Sequence, residues 1–220
     1  MISAADIRIY EVLEQTLSQR YSDSEVAGLL DNVRQTYYDS YTTSIDASVV
    51  ESSIIGCRAC DNVTSTPHAG WWNYLDPDFL IVASNSYRDK MYIKATGHAL
   101  KSAGYASSFC GVIHVTKCDA EKITPSNVDN CYNFVYQQIS AARPRAIGVT
   151  GAKAFDLFRT NQDSYKDAIG TSWWWGVHKV YCLPLLADIA ENYSISILKE
   201  TYEHVYGISG SDLIVIRQNE

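Results

Sequence analysis

Phe79-Leu80-Ile81-Val82-Ala83-Ser84-Asn85-Ser86-Tyr87-Arg88-Asp89 is a five-residue apolar run that breaks off into a polar turn. So short an apolar run, bounded by a turn, reads as a buried strand. A helical segment from about Met91 to Ala103 follows, and a second apolar run, Gly111 to Thr116, ends at Lys117-Cys118. Strand, helix and strand in that order make a parallel α/β unit. In open parallel sheets ligands sit outside the carboxyl ends of the strands, so function is expected at the exits near Ser84 and His114.

Toward the N-terminus, Ile7, Ile9, Val12, Leu13 and Leu17 recur at helical spacing over residues 4–20. Ser22 or Asp23 caps a second helix carrying Val26, Leu29, Leu30 and Val33, and a third runs from about Ile45 to Ile55. These helices are expected to pack on the sheet. No Gly-, Ser- or Pro-rich linker sets them apart, so residues 1–220 read as a single domain. Residues 61–77 read as an irregular loop punctuated by Pro67, Gly70 and Pro77.

Toward the C-terminus, a helix containing Cys131, Phe134, Val135 and Ile139 ends at Arg143-Pro144. The strand Ala146 to Val149 follows, and Gly151 opens a helix, Ala152 to Phe158. Residues 170–182 look like a β-ribbon, with Val180-Tyr181-Cys182-Leu183 as the last core strand. Residues 194–206 read as helix and Ile214-Val215-Ile216 as a short terminal strand.

A chain of 220 residues suffices for one substantial core. No apolar run reaches the ~18 residues of a membrane span. The start, Met1-Ile2-Ser3-Ala4-Ala5-Asp6, lacks the basic-then-apolar order of a secretory signal, so a cytoplasmic protein without a membrane partner is expected. The net charge of −7 does not advertise a nucleic-acid partner, but binding depends on local patches rather than totals.

Six cysteines stand at 57, 60, 110, 118, 131 and 182. Cys57 and Cys60 form a CxxC pair, which grips one metal or cluster from a single turn. Alone it fits zinc, a redox dithiol or an iron–sulfur cluster. A redox dithiol usually opens a helix after a strand, whereas this pair precedes the first core strand. Cys118 and Cys131 bracket a loop from a strand end to a helix, and the four thiolates together would close a site. Spacing does not separate zinc from a 4Fe–4S cluster.

These motifs resemble the iron–sulfur branch of the uracil-DNA glycosylase superfamily. That branch shows a CxxC pair, a strand ending in GEAPG, PFVGxAG in a helix, and a strand with TNxVKC. A fourth cysteine at a helix start, an RPK/R-strand-GxxA unit and a late strand ending in HPS follow. Here Cys57 and Cys60 match the pair, Phe79 to Tyr87 the first strand and turn, and Met91 to Gly97 the helix motif. Ile113-His114-Val115-Thr116-Lys117-Cys118 is similar to the cysteine-bearing strand, and Cys131 to the fourth cysteine. Arg143 to Ala154 is similar to the next unit, and Val180 to Pro184 to the late strand. The resemblance covers about residues 50–190 and implies a three-layer α/β/α core (51–190). Its sheet would be central, mostly parallel and four-stranded, with residues 1–50 as a helical N-terminal extension. It implies a 4Fe–4S cluster on Cys57, Cys60, Cys118 and Cys131.

Three positions depart from the branch. Ser84 stands where it has Glu, His114 where it has the Asn that reads the uracil edge, and Leu183 where it has His. Against the GQDPY motif of the uracil-specific enzymes, Asn85 falls on the catalytic Asp and Tyr87 on the Tyr that walls the base pocket. The mismatch-specific branch also has Asn there. Hydrolysis of an N-glycosidic bond needs a base drawn into a pocket, a positioned water and stabilisation of the departing base. The resemblance implies Asn85, with Ser84 and Asp89, as the catalytic set, Asn85 holding the water and Asp89 the nearest carboxylate able to activate it. Tyr92 would stack on the base, Tyr87 line the pocket and His114 read the base edge. No Lys is placed for a Schiff base, so lyase chemistry is not expected.

Leu183 and the aromatic run Trp173-Trp174-Trp175 suggest a base larger than uracil. Superfamily members that act in phage defence on glucosylated hydroxymethylcytosine supply the analogy. The expectation is a monomeric, monofunctional DNA glycosylase acting on DNA that carries a modified base. The alternatives are a uracil or deaminated-base repair enzyme and a catalytically inert iron–sulfur DNA-binding module. Lys117, Lys122, Arg143, Arg145 and Lys153 are the candidate phosphate contacts.

Overall fold

β1 (Phe79–Ala83) lies at the heart of the sheet because its backbone pairs on both edges. It runs parallel to β2 (Cys110–His114) on one side and to β3 (Ala146–Thr150) on the other. The computed structural model describes residues 12–41, 45–70, 72, 79–84, 110–119, 122–159 and 164–183. Beyond β3, β5 (His178–Leu183) pairs parallel, and β4 (Ser172–Trp175) pairs antiparallel with β5, giving the order β2-β1-β3-β5-β4. The protein is thus α/β with a mostly parallel sheet. The four parallel strands are those read from the sequence, but the sheet has five strands rather than four. The fifth is the first arm of the ribbon at 170–182: Gly176, at φ 61, and Val177 connect Trp175 to His178. A two-residue connection allows only an antiparallel return. The expected helices at 91–103 and 194–206 and the strand at Ile214–Ile216 lie outside the described residues.

The helix ends follow local chemistry. Residues 12–18 are helical (α1). Ahead of α2 (Asp23–Tyr41), the Ser22 N–H and hydroxyl both donate to Glu25 Oε2, at 2.9 and 2.7 Å. Asp46 caps α3 (Ala47–Ile55) by accepting from the Ser48 N–H. Thr124 and Asn127 form a reciprocal capping box for α4 (Pro125–Ala142), whose first residue is proline. Arg143 closes α4 in the left-handed region at φ 47, and Pro144 prevents continuation. α5 (Ala152–Phe158) and α6 (Tyr165–Ala168) follow β3.

Residues in register on parallel neighbours share a face. One face carries Leu80 and Val82 of β1, Ile147 and Val149 of β3, and Val180 and Cys182 of β5. It packs on α3 through Val50 and Ile54, on α4 through Val135 and Ile139, and on α5 through Phe155 and Phe158. The opposite face carries Phe79, Ile81, Tyr181 and Leu183, which are buried as well. Burial on both faces is why β1 and β3 read as unbroken apolar runs. Gly148 has its place because Phe79 and Leu183 fill the space beside it; a Cβ there would stand 2.7 Å from each.

The N-terminal helices dock at the β4–β5 end. Val26, Leu30 and Tyr38 of α2 pack on Trp174 and Val177. Glu14 of α1 accepts from the Trp174 indole at 2.9 Å and pairs with Lys179 at 2.7 Å. At the start of β5, His178 is 2% exposed. Its Nδ1 lies 2.9 Å from the Pro144 carbonyl and its Nε2 2.6 Å from the Tyr38 hydroxyl. A carbonyl only accepts, so Nδ1 carries the proton and Nε2 accepts from Tyr38. The Arg143 guanidinium lies over the Tyr38 ring at 5.2 Å, while Arg34 donates to the Arg143 carbonyl and to Asp31. That donation satisfies a carbonyl the helix end leaves open.

Burial first, then the Arg34 charge, lowers the His178 pKa to about 3. Unfolded histidine titrates near ~6.5. Between those values the unfolded chain binds a proton that the folded chain does not. The contribution of His178 is therefore complete above pH ~6.5 and is lost as the pH falls toward about 3. Urea unfolding from pH 7 to pH 4 should show a steeper loss of stability in the wild type than in His178→Gln, by up to ~1.4 kcal/mol per pH unit. Equal slopes would refute this account. Tyr38→Phe, which takes the donor from a buried acceptor, should cost ~1–3 kcal/mol at neutral pH.

Candidate functional site at the carboxyl edge of the sheet

The strand order puts β1 between β2 and β3, so the chain leaves β1 first to one side and then to the other. The switch point lies at the carboxyl ends of β1 and β3, the usual ligand position in such sheets. Ala83 is in register with both His114 and Thr150, and Thr150 with Leu183. His114, Ala83, Thr150 and Leu183 therefore form one row across four strands, on one face. Two of the expected base-binding residues, His114 and Leu183, stand in that row. Both are fully buried, with 0% exposure.

The His114 ring meets the His68 ring edge-on at 5.5 Å. Gly70, at φ 82, brings its backbone against β2: a Cβ there would stand 2.6 Å from the Val112 carbonyl and 3.4 Å from His114 Nδ1. Leu183 offers its carbonyl to the Tyr165 hydroxyl at 2.6 Å. Thr150 and His68 are the residues at this edge that sequence reasoning missed. For Thr150 the signal was a polar residue ending an apolar strand just before Gly151. For His68, inside an irregular loop, no periodicity marks a neighbour of β2.

Ser84 has a structural task. Its N–H donates to the Thr150 carbonyl at 3.1 Å, its hydroxyl donates to the same carbonyl at 3.3 Å, and its oxygen accepts from the Ala154 N–H at 3.1 Å. Gly151 precedes α5 without a side chain to cap it. Ser84 thus caps α5 from another strand and joins the ends of β1 and β3. Asn85, Tyr87, Asp89 and Tyr92 lie outside the described residues.

The four expected metal ligands come from separate segments. Cys57 and Cys60 follow α3, Cys118 lies four residues past β2, and Cys131 is in the second turn of α4. Hydrogen bonds stitch these segments together. The Thr64 N–H donates to the Asp119 carbonyl at 2.8 Å, and the His68 N–H to the Lys117 carbonyl at 2.8 Å. Asp119 N–H donates to Ser65 Oγ at 2.8 Å, Asn127 Nδ2 to Asn62 Oδ1 at 2.8 Å, and Asn130 Nδ2 to Cys60 Sγ at 3.4 Å. All four thiols are free.

Burial, then the neighbouring Cys131, Cys57 and Cys60, pushes the Cys118 thiol up to about 11. Burial foremost likewise raises Cys131, against a lowering hydrogen bond from the Lys117 N–H. Cys57 and Cys60 thus act electrostatically on both Cys118 and Cys131. Among the described residues, no three His, Cys, Asp or Glu side chains close tightly enough to hold a metal ion as they stand. The donor set itself fits a thiophilic group: four soft ligands whose mutual repulsion a bound cation would reverse.

The basic residues do not form one strip. Lys117 is 1% exposed, with Nζ donating to Gln138 Oε1, so it offers no phosphate contact. Arg143 and Arg145 flank the amino end of β3, and Arg145 pairs with Asp31 at 3.4 Å. Lys153 lies at the opposite, carboxyl end, at the start of α5, where burial lowers its pKa. No helix among the described residues is long and apolar enough to cross a membrane. No protein-family model matches this chain, and no curated protein matches it in sequence.

Ser84→Ala should leave the Ala154 N–H without its partner and loosen the joint between β1 and β3. The expected loss is ~0.5–2 kcal/mol, the usual cost of removing a helix cap, measured by denaturant unfolding. An unchanged stability would mean that water replaces the hydroxyl there.

Proposed function

We propose that this chain is a monofunctional DNA glycosylase that hydrolyses the N-glycosidic bond of a flipped, modified base and leaves an abasic site. A glucosylated hydroxymethylcytosine of phage DNA is the proposed substrate class. The observation that carries the reading is one juxtaposition. A four-cysteine set stitched across α3, β2 and α4 stands beside a sheet whose carboxyl-edge row holds His114, Thr150 and Leu183. The motif resemblance joins the two features to one chemistry.

In this reading Cys57, Cys60, Cys118 and Cys131 hold a 4Fe–4S cluster. When bound, the cluster serves as a cross-link that orders the segment around Cys57 and the residues ahead of α4. His114 reads the edge of the base from the end of β2, and the Thr150 hydroxyl stands in the same row. Leu183 contributes apolar surface where a uracil enzyme of this branch has His. Asn85, next after Ser84, positions the attacking water through its amide oxygen. An amide takes no proton, so the rate comes from positioning and from stabilising the departing base. Tyr92 and Tyr87 supply stacking and a pocket wall, and Asp89 is the reserve carboxylate.

The complete burial of His114 and Leu183 favours a second reading, an inert iron–sulfur DNA-binding module. A base reaches these side chains only if the edge opens.

The purified chain should be brown and contain iron and sulfide in equal amounts, about four of each. Alanine at Cys57, Cys60, Cys118 or Cys131 should abolish the colour, whereas Cys182→Ala should not. Stoichiometric zinc in a colourless protein would sink the cluster.

Single-turnover assays on plain, uracil-containing and glucosylated phage DNA should release base only from the last. Asn85→Ala should slow that release ~10²–10³-fold without loss of DNA binding. Robust uracil release would promote the repair alternative. Binding to all three DNAs without release would establish the inert module.

A further inference from the structure

His114 ends β2 in the row at the carboxyl edge, yet it is closed to solvent, with 0% exposure. The ring against it belongs to His68, which is partly exposed and meets it edge-on at 5.5 Å. Of the two residues, His68 is the one open to a ligand arriving at the end of β2. His68 belongs to no helix or strand, but its main chain is fixed on both sides. Its N–H donates to the Lys117 carbonyl at 2.8 Å, and its neighbours Pro67 and Ala69 are buried. The Ala69 carbonyl accepts from Gln138 Nε2 at 2.7 Å, and Gln138 Oε1 accepts from Lys117 Nζ at 2.5 Å. The same Nζ donates to the His114 carbonyl at 2.5 Å.

A buried chain of hydrogen bonds thus runs from the His114 carbonyl through Lys117 and Gln138 to the Ala69 carbonyl. It ties the end of β2 to the residue after His68. Gly70 follows at once, and its positive φ lets the backbone lie against the Val112 carbonyl, where a Cβ would stand 2.6 Å away. A satisfied buried network holds one arrangement, so the imidazole is presented already ordered, which lowers the entropy cost of binding. We propose that His68 is the specificity-determining residue at the β2 exit. Its imidazole hydrogen-bonds the polar edge of the extruded modified base, and His114, behind it, acts on the base through that ring. An imidazole carries a donor and an acceptor, which suits the hydroxyl and amide-like groups of a glucosylated base. The proposal rests on the glycosylase reading for the identity of the ligand, but not for the placement of the two rings.

The test is a footprint on the full chain as purified, joined to a binding comparison. Diethyl pyrocarbonate, which acylates accessible imidazoles, is applied to the free chain and to the chain with a duplex carrying glucosylated hydroxymethylcytosine. Peptide mass spectrometry locates the modified histidines. In the free chain His68 should be labelled, while the buried His114 and His178 should not. Bound DNA should suppress the labelling of His68. His68→Phe keeps a flat ring against His114 and removes the hydrogen bond; His68→Gln keeps a donor and an acceptor. With the fold checked by circular dichroism, the affinity ratio of glucosylated over plain duplex should fall ~2–10-fold in His68→Phe, the usual worth of one hydrogen bond. His68→Gln should recover most of that ratio. A packing role alone would instead be rescued by Phe and not by Gln, and that pattern would overturn the proposal. A His68 that stays unlabelled in the free chain, or fully reactive in the complex, would overturn it too. A wild type that binds neither duplex would bring down the glycosylase reading and the proposal with it. A wild type that prefers the glucosylated duplex, with His68 variants that keep its ratio, would overturn the proposal alone.

Discussion

A sheet buried on both faces can do chemistry only where its strands end. β1 and β3 are buried along their whole length, so no side chain in their middle meets a ligand. The chain is thereby restricted to the strand exits and the segments that reach over them. Among the described strands the order switches direction between β1 and β3, the position at which sheets of this kind usually carry a ligand. Ser84 holds that edge together. Its bonds to Thr150 and Ala154 keep the exits of β1 and β3 and the start of α5 in one arrangement.

The irregular segment after α3 has no strand or helix ladder of its own to satisfy its backbone. It finds partners instead on the chain between β2 and α4, through Asp119, Lys117 and the paired amides of Asn62 and Asn127. The cysteines lie at the ends of this seam. A group bound by all four would hold the same elements that the hydrogen bonds already bring together. The capping box that starts α4 belongs to the same seam, since Asn127 bonds both Thr124 and Asn62.

The other end of the sheet is organised around a buried histidine rather than a pocket. His178 joins the first residue of β5 to Pro144 and to Tyr38 of α2, and the Arg143 and Arg34 guanidinium groups surround the joint. Of these two, Arg143 was a candidate phosphate contact in the sequence, where a cation next to Pro144 cannot be told from one that closes a helix. Lys117 misled in the same way, because a lysine in a short loop gives no sign that it is buried.

The sequence by itself determined the four parallel strands and the helices between Pro125 and Phe158, and it placed cysteines after α3, beyond the end of β2 and inside α4. Apolar runs and capping residues act over a few positions, so they can be read without knowing the neighbours. It marked β1 and β3 as interior strands, because burial on two faces removes the polar alternation. Tertiary structure alone decided that Thr150 joins His114 and Leu183 in a row. It alone also decided that Ser84 caps a helix from another strand and that Lys117 is an interior cation. Each of these depends on partners more than twenty residues away or on the register between strands. Nothing local in a sequence encodes which distant backbone will stand beside a given side chain.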